Sequence, residues 1–201
     1  RPESWAVDSA AEILRQAEKP VVIAGRGVRW GNASDQLITL AEAMTIPVIT
    51  TEMGRGTIPE DHPLAGGLVG HFGHSAANGL LREADVVLGL GCRFLNVSTI
   101  NWSIISPDTK IIQVETDPLE IGKQYAVTLG VHADSGAFLK DLNAVIGSET
   151  STAFDADHPR VKRAAELIFD QKRRYYDTDL DAVPIKPQRI TCAIDQTCDR
   201  D

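Results

Sequence analysis

Short, mostly apolar runs recur along the chain at 21–24 (VVIA), 47–50 (PVIT), 86–90 (VVLGL), 110–114 (KIIQV) and 127–131 (VTLGV). Each is too short for a free-standing helix and closes on glycine or a polar residue, the signature of a strand covered on both faces. Between them the apolar spacing lengthens to three and four. Val7, Ala10, Leu14 and Ala17 fall on one helical face, with Asp8 or Ser9 as cap and Lys19 and Pro20 as the stop. Leu37, Leu40, Ala41 and Met44 form a second such face after Asn32 or Ser34, and residues 75–82 a third. Phe138, Leu139, Leu142 and Ile146 form a fourth, from Asp134 or Ser135 to Gly147. Strand and helix alternate up to Gly147, which predicts an α/β fold: a doubly wound parallel sheet with helices on both faces and right-handed crossovers.

Two stretches lack any period. Residues 57–73 carry Pro59, Pro63, Gly66, Gly67, Gly70 and Gly73 and read as a long connection, a type that is usually functional. Residues 95–108 read the same way. Pro118 suits the first turn of a short helix that Gly122 stops. Beyond Gly147 the pattern changes: 148–157 is a polar linker, 158–176 an amphipathic helix with Val161, Ala165, Ile168 and Phe169 on one side, 179–187 extended, and 188–198 a further helix.

Composition narrows the class. A hydrophobic fraction of 43% and a charged fraction of 24% are ordinary for a globular protein. The net charge of -8 argues against a nucleic-acid partner, and the one basic run, Lys172 to Arg174, reads as a solvated helix face. No apolar stretch is long enough for a membrane span and no charged-then-apolar leader opens the chain, so no membrane is expected. Cys92, Cys192 and Cys198 are too few and too irregular for a disulfide framework or a zinc knuckle, and they suit a reducing cytoplasm. Running from Arg1 to Asp201 inside a helical pattern, the sequence reads as a piece of something longer.

The candidate chemistry gathers behind the strands. Gly25, Arg26 and Gly27, then Thr50 and Thr51, then Gly91, Cys92 and Arg93, and finally Glu115, Thr116 and Asp117 each follow a predicted strand. In a parallel sheet they line one edge, with Arg93 and Glu115 at neighbouring strand ends. A carboxylate there can accept ribose hydroxyls while glycine amides and an arginine hold phosphates; the plainer reading is turn and capping residues. The Gly25, Gly27, Gly31 spacing departs from G-x-G-x-x-G. His71 and His74 lack a third ligand at a sensible spacing and read as loop histidines. Cys92 beside Arg93 invites a lowered thiol pKa, but without a partner set a small residue in a tight turn is the better reading. G-x-S-x-G, a P-loop lysine and H-E-x-x-H are all absent from the sequence.

Taken together, residues 19–27 (KPVVIAGRG), 46–51 (IPVITT), 62–70 (HPLAGGLVG), 84–94 (ADVVLGLGCRF) and 111–123 (IIQVETDPLEIGK) resemble the central domain of thiamine diphosphate-dependent enzymes, closest to acetolactate synthase large subunits. The resemblance covers residues 1–147 and implies a six-stranded, Rossmann-like parallel sheet. In that family the domain binds FAD in acetolactate synthases, glyoxylate carboligases and pyruvate oxidases, ADP in some relatives and nothing in some decarboxylases. Carried over by motif, Gly25 to Gly27 would lie by the flavin ribityl and phosphates, Gly70, His71 and Gly73 with Gly91 to Phe94 would line the cleft, and Glu115 and Asp134 would sit by the adenosine. Leu95 and Asn96 stand where Asp-Asp and Arg usually follow, and Glu115 where Asp is common.

From their pattern residues 148–186 read as a linker with one helix, and by the same resemblance 187–201 would open the following diphosphate-binding domain. A full-length enzyme would use thiamine diphosphate and Mg2+ on a 2-oxo acid, as a homo-oligomer with pyrimidine- and diphosphate-binding domains. This chain alone, with no Gly-Asp pair to begin the metal-binding motif, would be inactive. The alternatives are a purely structural domain of a family decarboxylase and an independent nucleotide-binding module.

Overall fold

The apolar runs become strands of one sheet in the computed structural model, which describes residues 1–147, 155–176 and 182–198. They are β1 (Pro20–Ala24), β2 (Val48–Thr50), β3 (Ala65–Leu68), β4 (Val86–Leu90), β5 (Lys110–Glu115) and β6 (Leu129–His132). Their order is β3-β2-β1-β4-β5-β6, with every neighbouring pair parallel. β1 and β4 are central: Val22 faces Val48 on one side and Leu88 on the other. The sheet grows outward from β1 through β2 and β3, and from β4 through β5 and β6. The chain direction of growth therefore reverses between β1 and β4, a topological switch point.

Helices α1 (Ser4–Arg15), α2 (Arg26–Trp30), α3 (Ser34–Met44), α4 (Ser75–Glu83), α5 (Ser135–Gly147), α6 (Pro159–Tyr176) and α7 (Pro187–Thr197) complete the order. Because strand residues point alternately to opposite faces, neighbours in one run serve two cores. Val22, Ala24, Leu88, Leu90 and Val114 pack with Leu14 of α1, Leu37 and Leu40 of α3 and Phe138 and Leu142 of α5. Val21, Ile23, Val87 and Ile111 pack with Leu80 and Leu81 of α4 and Ala164 of α6. Each fully buried Leu, Ile or Phe contributes about 1.5–3 kcal/mol, which is why the central strands β1 and β4 are buried and apolar along their whole length, whereas the edge strand β6 alternates buried and exposed residues.

Three elements depart from the reading of the bare sequence. β3 lies inside the 57–73 segment that read as irregular. It is hidden because its strand is AlaGlyGlyLeu: a Cβ on Gly66 would stand 2.7 Å from Ile49 Cγ2 and 2.8 Å from Leu80 Cδ1, so at this position the strand lies close against its neighbours without a side chain. A register irregularity between Val48 and Ile49 lets Gly67 take φ +87. α1 begins at Ser4 with Glu3 as its N-cap, so Asp8 and Ser9 are interior, and the helix stops at Arg15 while Pro20 opens β1. α2, a single short helix, fills the space directly after Gly25.

α6 is fastened to the amino edge of the sheet. Arg160 Nε donates to Glu18 O (3.0 Å), Nη2 to Ala17 O (2.8 Å) and Nη1 to Met44 O (3.2 Å), joining the chain just past α1 to the last residue of α3. Nearby, Asp85 accepts from the amides of Glu18 (2.7 Å) and Lys19 (2.8 Å), tying the entry of β1 to that of β4. Val161 and Ala164 are buried in the two cores. The linker residues 148–154, residues 179–181 of the extended run and residues 199–201 lie outside the described residues; 182–186 is irregular and leads into α7. Among the described residues no helix is long and apolar enough to cross a membrane.

Candidate functional site

A cleft of about 290 Å³ opens at the carboxyl edge, over the gap between β1 and β4. Arg26 and Gly27 reach it from behind β1 and Thr51 from behind β2. Gly91, Cys92, Arg93 and Phe94 come from behind β4, and Glu115 and Thr116 from the end of β5. Arg93 and Glu115 thus share one edge, as the parallel pairing of Leu90 with Val114 requires. A larger cavity of about 430 Å³ lies at the opposite edge, lined by Pro20, Pro47, Leu80 and Pro159. Its guanidinium groups are engaged, Arg160 with carbonyls and Arg163 with Glu83 at 2.6 Å, whereas the carboxyl edge carries the loops in which open parallel sheets bind ligands.

The glycines form the floor. A Cβ on Gly27 would lie 2.6 Å from Gly91 Cα, and one on Gly91, whose φ is +55, 2.3 Å from Gly27 Cα. Two loops touch backbone to backbone here. Their amides are already engaged: Gly25 N donates to Leu90 O (2.9 Å) and Gly27 N to Gly91 O (3.3 Å) across this contact, and Gly91 N to Val114 O of β5 (2.8 Å). Positive charge toward an anion therefore falls to the side chains of Arg26 and Arg93, not to these three amides. Gly89 has a different task. A Cβ there would meet Phe94 Cζ at 2.5 Å, so the glycine makes room for the Phe94 ring, which packs edge-on to Tyr125 with centroids 5.8 Å apart.

Glu115 is buried at the strand end, and its Oε1 accepts from Thr116 N (2.9 Å) and Thr116 Oγ1 (3.1 Å). Arg93 lies 3.9 Å from Asp117 Oδ2, a loose and half-exposed pairing, while Asp117 Oδ1 caps the turn 118–120 through Leu119 N (3.1 Å). Cys92 is sealed in: burial, with the Glu115 charge adding to it against a hydrogen bond from the Phe94 backbone, pushes its thiol up to about 12. The lowered pKa that its neighbour Arg93 invited does not occur, and the residue is the small turn residue of the plainer reading.

The remaining candidates stand apart from the lining. Gly25 is beneath it and Thr50 is buried within β2. A Cβ on Gly70 would stand 2.2 Å from Val97 O, and His71 N donates to the same oxygen (2.9 Å), so this loop buttresses the cleft wall at 95–98. Gly73 closes a turn onto Gly70 O, and Asp134 Oδ1 accepts from Ala137 N at the start of α5. His74 sits at the N-cap of α4 against Gly67, and burial lowers its pKa.

Several lining residues carry no periodic signal and escaped the sequence reading: Trp30, Glu52, Met53, Leu95, Val97 and Ser98. The i, i+4 relation between Arg26 and Trp30 is the one signal that could have found the first of them. The wall behind Leu95 is built from an unusual turn. Ile100, Asn101 and Trp102 have φ of 51, 53 and 58, and Phe94 has 51, all left-handed without glycine. Trp102 Nε1 donates to Phe94 O (3.0 Å) and Thr99 Oγ1 to Leu95 O (2.9 Å), pinning that turn to the cleft.

A six-stranded parallel sheet covered on both faces, with its cleft at the switch point, is a Rossmann-like α/β domain. Comparison with known proteins gives the family: residues 7–142 match the family described as "Thiamine pyrophosphate enzyme, central domain", and the chain belongs to it. It is similar to a probable acetolactate synthase large subunit of Methanocaldococcus jannaschii, 39% identical over 184 residues that cover 92% of this chain and 30% of that protein. It is also similar to a glyoxylate carboligase of Escherichia coli O157:H7, at 34% over 97% of this chain and 33% of the relative. A sulfoacetaldehyde acetyltransferase of Rhodobacter capsulatus is 36% identical over 86% of the chain and 29% of the relative. The chain spans about a third of the length of these relatives.

Proposed function

We propose that this chain is the central domain of a thiamine diphosphate-dependent enzyme of the acetolactate synthase kind, acting on a 2-oxo acid, and that its cleft holds the adenine nucleotide part of FAD or of ADP. The observation that carries the cleft assignment is the convergence of Arg26, Arg93, Glu115 and Thr116 over the switch point between β1 and β4. These residues fit the group. The arginines supply positive charge for phosphates. Glu115, whose Oε1 is already engaged by Thr116, offers Oε2 to a ribose hydroxyl. FAD supplies its flavin ring and ADP only a diphosphate and adenosine; in either case this chain binds and orients.

Thiamine diphosphate and Mg2+ belong, in this reading, to pyrimidine- and diphosphate-binding domains of a longer homo-oligomeric enzyme. The 201 residues hold no Gly-Asp pair, so the chain by itself would not turn over. Calorimetric titration of the purified chain with FAD and with ADP tests the cleft, and single binding with one of them is expected. Arg93→Ala and Glu115→Gln should each weaken it about 10-fold or more, the effect of a lost charged hydrogen bond. If neither ligand binds, the domain is structural. Turnover of pyruvate with thiamine diphosphate and Mg2+ above the protein-free rate would refute the inactivity of the chain alone.

A further inference from the structure

Trp30 is among the most exposed large side chains of the domain, at 72%, yet it lines the cleft. α2 explains how. The helix is anchored from beneath by Val28, which is fully buried, and by Gly27 against Gly91. Arg26 and Trp30, four residues apart, fall on one remaining face. The Arg26 guanidinium carbon stands 4.1 Å from the centroid of the Trp30 ring, a cation–π stack. Met53 and Leu95, both more than half exposed, line the same cleft. A guanidinium laid on an indole is a flat, polarizable and positively charged surface on a short rigid support. That suits a planar heteroaromatic ring carried on a phosphate better than it suits a sugar or a lone anion.

We infer that Trp30, with Arg26 stacked on it, is the plate against which the ring of the cleft's ligand packs. The inference rests on the nucleotide reading of the cleft and goes beyond it by assigning ring recognition to a residue outside the glycine turns. The ring is adenine or isoalloxazine, and ADP and FMN titrated separately distinguish them, since each carries one of the two on phosphate. The ligand bearing the right ring should bind Trp30→Ala roughly 5- to 150-fold more weakly than the parent, the range for a lost base–aromatic stack. Trp30→Phe, which keeps a π face, should stay within about 3-fold of the parent.

Inorganic pyrophosphate, its affinity measured by competition, should bind the parent and Trp30→Ala equally well, because it has no ring. If Trp30→Ala binds both ADP and FMN as the parent does, the plate is refuted while the nucleotide cleft stands. If Trp30→Ala weakens pyrophosphate as much as ADP or FMN, the residue merely shapes the loop and the inference is refuted. If the parent binds none of FAD, ADP and FMN, the nucleotide reading fails and the plate with it.

Discussion

Replacing Gly91 by alanine tests the contact on which the cleft floor depends. Two effects add. The residue sits at φ +55, where an L side chain costs about 1–2 kcal/mol. Its new Cβ would also lie 2.3 Å from Gly27 Cα and 2.5 Å from Gly27 N, backbone atoms that cannot rotate away. Relief requires the loops behind β1 and β4 to part, which weakens the bonds from Gly27 N to Gly91 O and from Gly25 N to Leu90 O. At about 0.5–1.5 kcal/mol each, these raise the total to roughly 2–5 kcal/mol. Gly56→Ala is the control, since Gly56 has φ +80 but nothing within 4 Å of its added Cβ, so only the conformational cost of about 1–2 kcal/mol applies. Urea denaturation of both variants, with midpoints and slopes compared, isolates the close approach. The parent stability of such a domain is of order 5–15 kcal/mol, so the difference is measurable. Equal losses in the two variants would refute the interlocked floor.

Three other outcomes follow from the geometry. Arg160→Ala should lower stability by about 2–3 kcal/mol in the same assay, because three charge-assisted bonds to carbonyls disappear, whereas Arg163→Ala, losing an exposed pair with Glu83, should cost no more than about 1 kcal/mol; similar losses would contradict the clasp. Iodoacetamide at pH 8 should label the exposed Cys198 and spare Cys92 in the folded chain, as mass spectrometry would show, since a thiol near 12 is thiolate in only about one molecule in ten thousand. His74 is held below its ordinary 6.5 chiefly by burial, with Glu60 opposing and Arg55 assisting, so the unfolded chain binds its proton first and stability falls as pH drops below about 6.5. His74→Phe should flatten that part of the pH–stability profile, and an unchanged slope would be inconsistent with the burial.

How much of this could be read from residues alone depends on what each element packs against. β1 and β4 were legible because both their faces are covered, which demands a nearly unbroken apolar run, and β5 because Ile111, Ile112 and Val114 keep most of one despite Gln113. β3 was not, because Gly66 packs close against Ile49 and Leu80 and Gly67 follows it, which leaves only Ala65 and Leu68 to carry an apolar signal. The strand ends were legible as a set, since parallel pairing brings Arg26, Arg93 and Glu115 to one edge whatever the register. Which amides would be free was not: Gly25, Gly27 and Gly91 look like a ligand cradle in sequence, and only their mutual distances show that they cradle one another. Trp30 was missed because α2 is too short to show a period, and Leu95 because loop side chains obey none.

The left-handed turn at Ile100, Asn101 and Trp102 reverses the usual ranking of substitutions. Over most of a fold glycine is the residue that weakens a position, but here every native side chain occupies backbone space that glycine reaches freely. Variant libraries scored on stability should therefore favour glycine at the exposed position 101, keep Ile100 for its packing against the second core, and, when scored on ligand retention, hold position 102, whose indole reaches the Phe94 carbonyl at the cleft. Neighbouring positions on one short loop would then answer to different selections, one for endurance and one for shape.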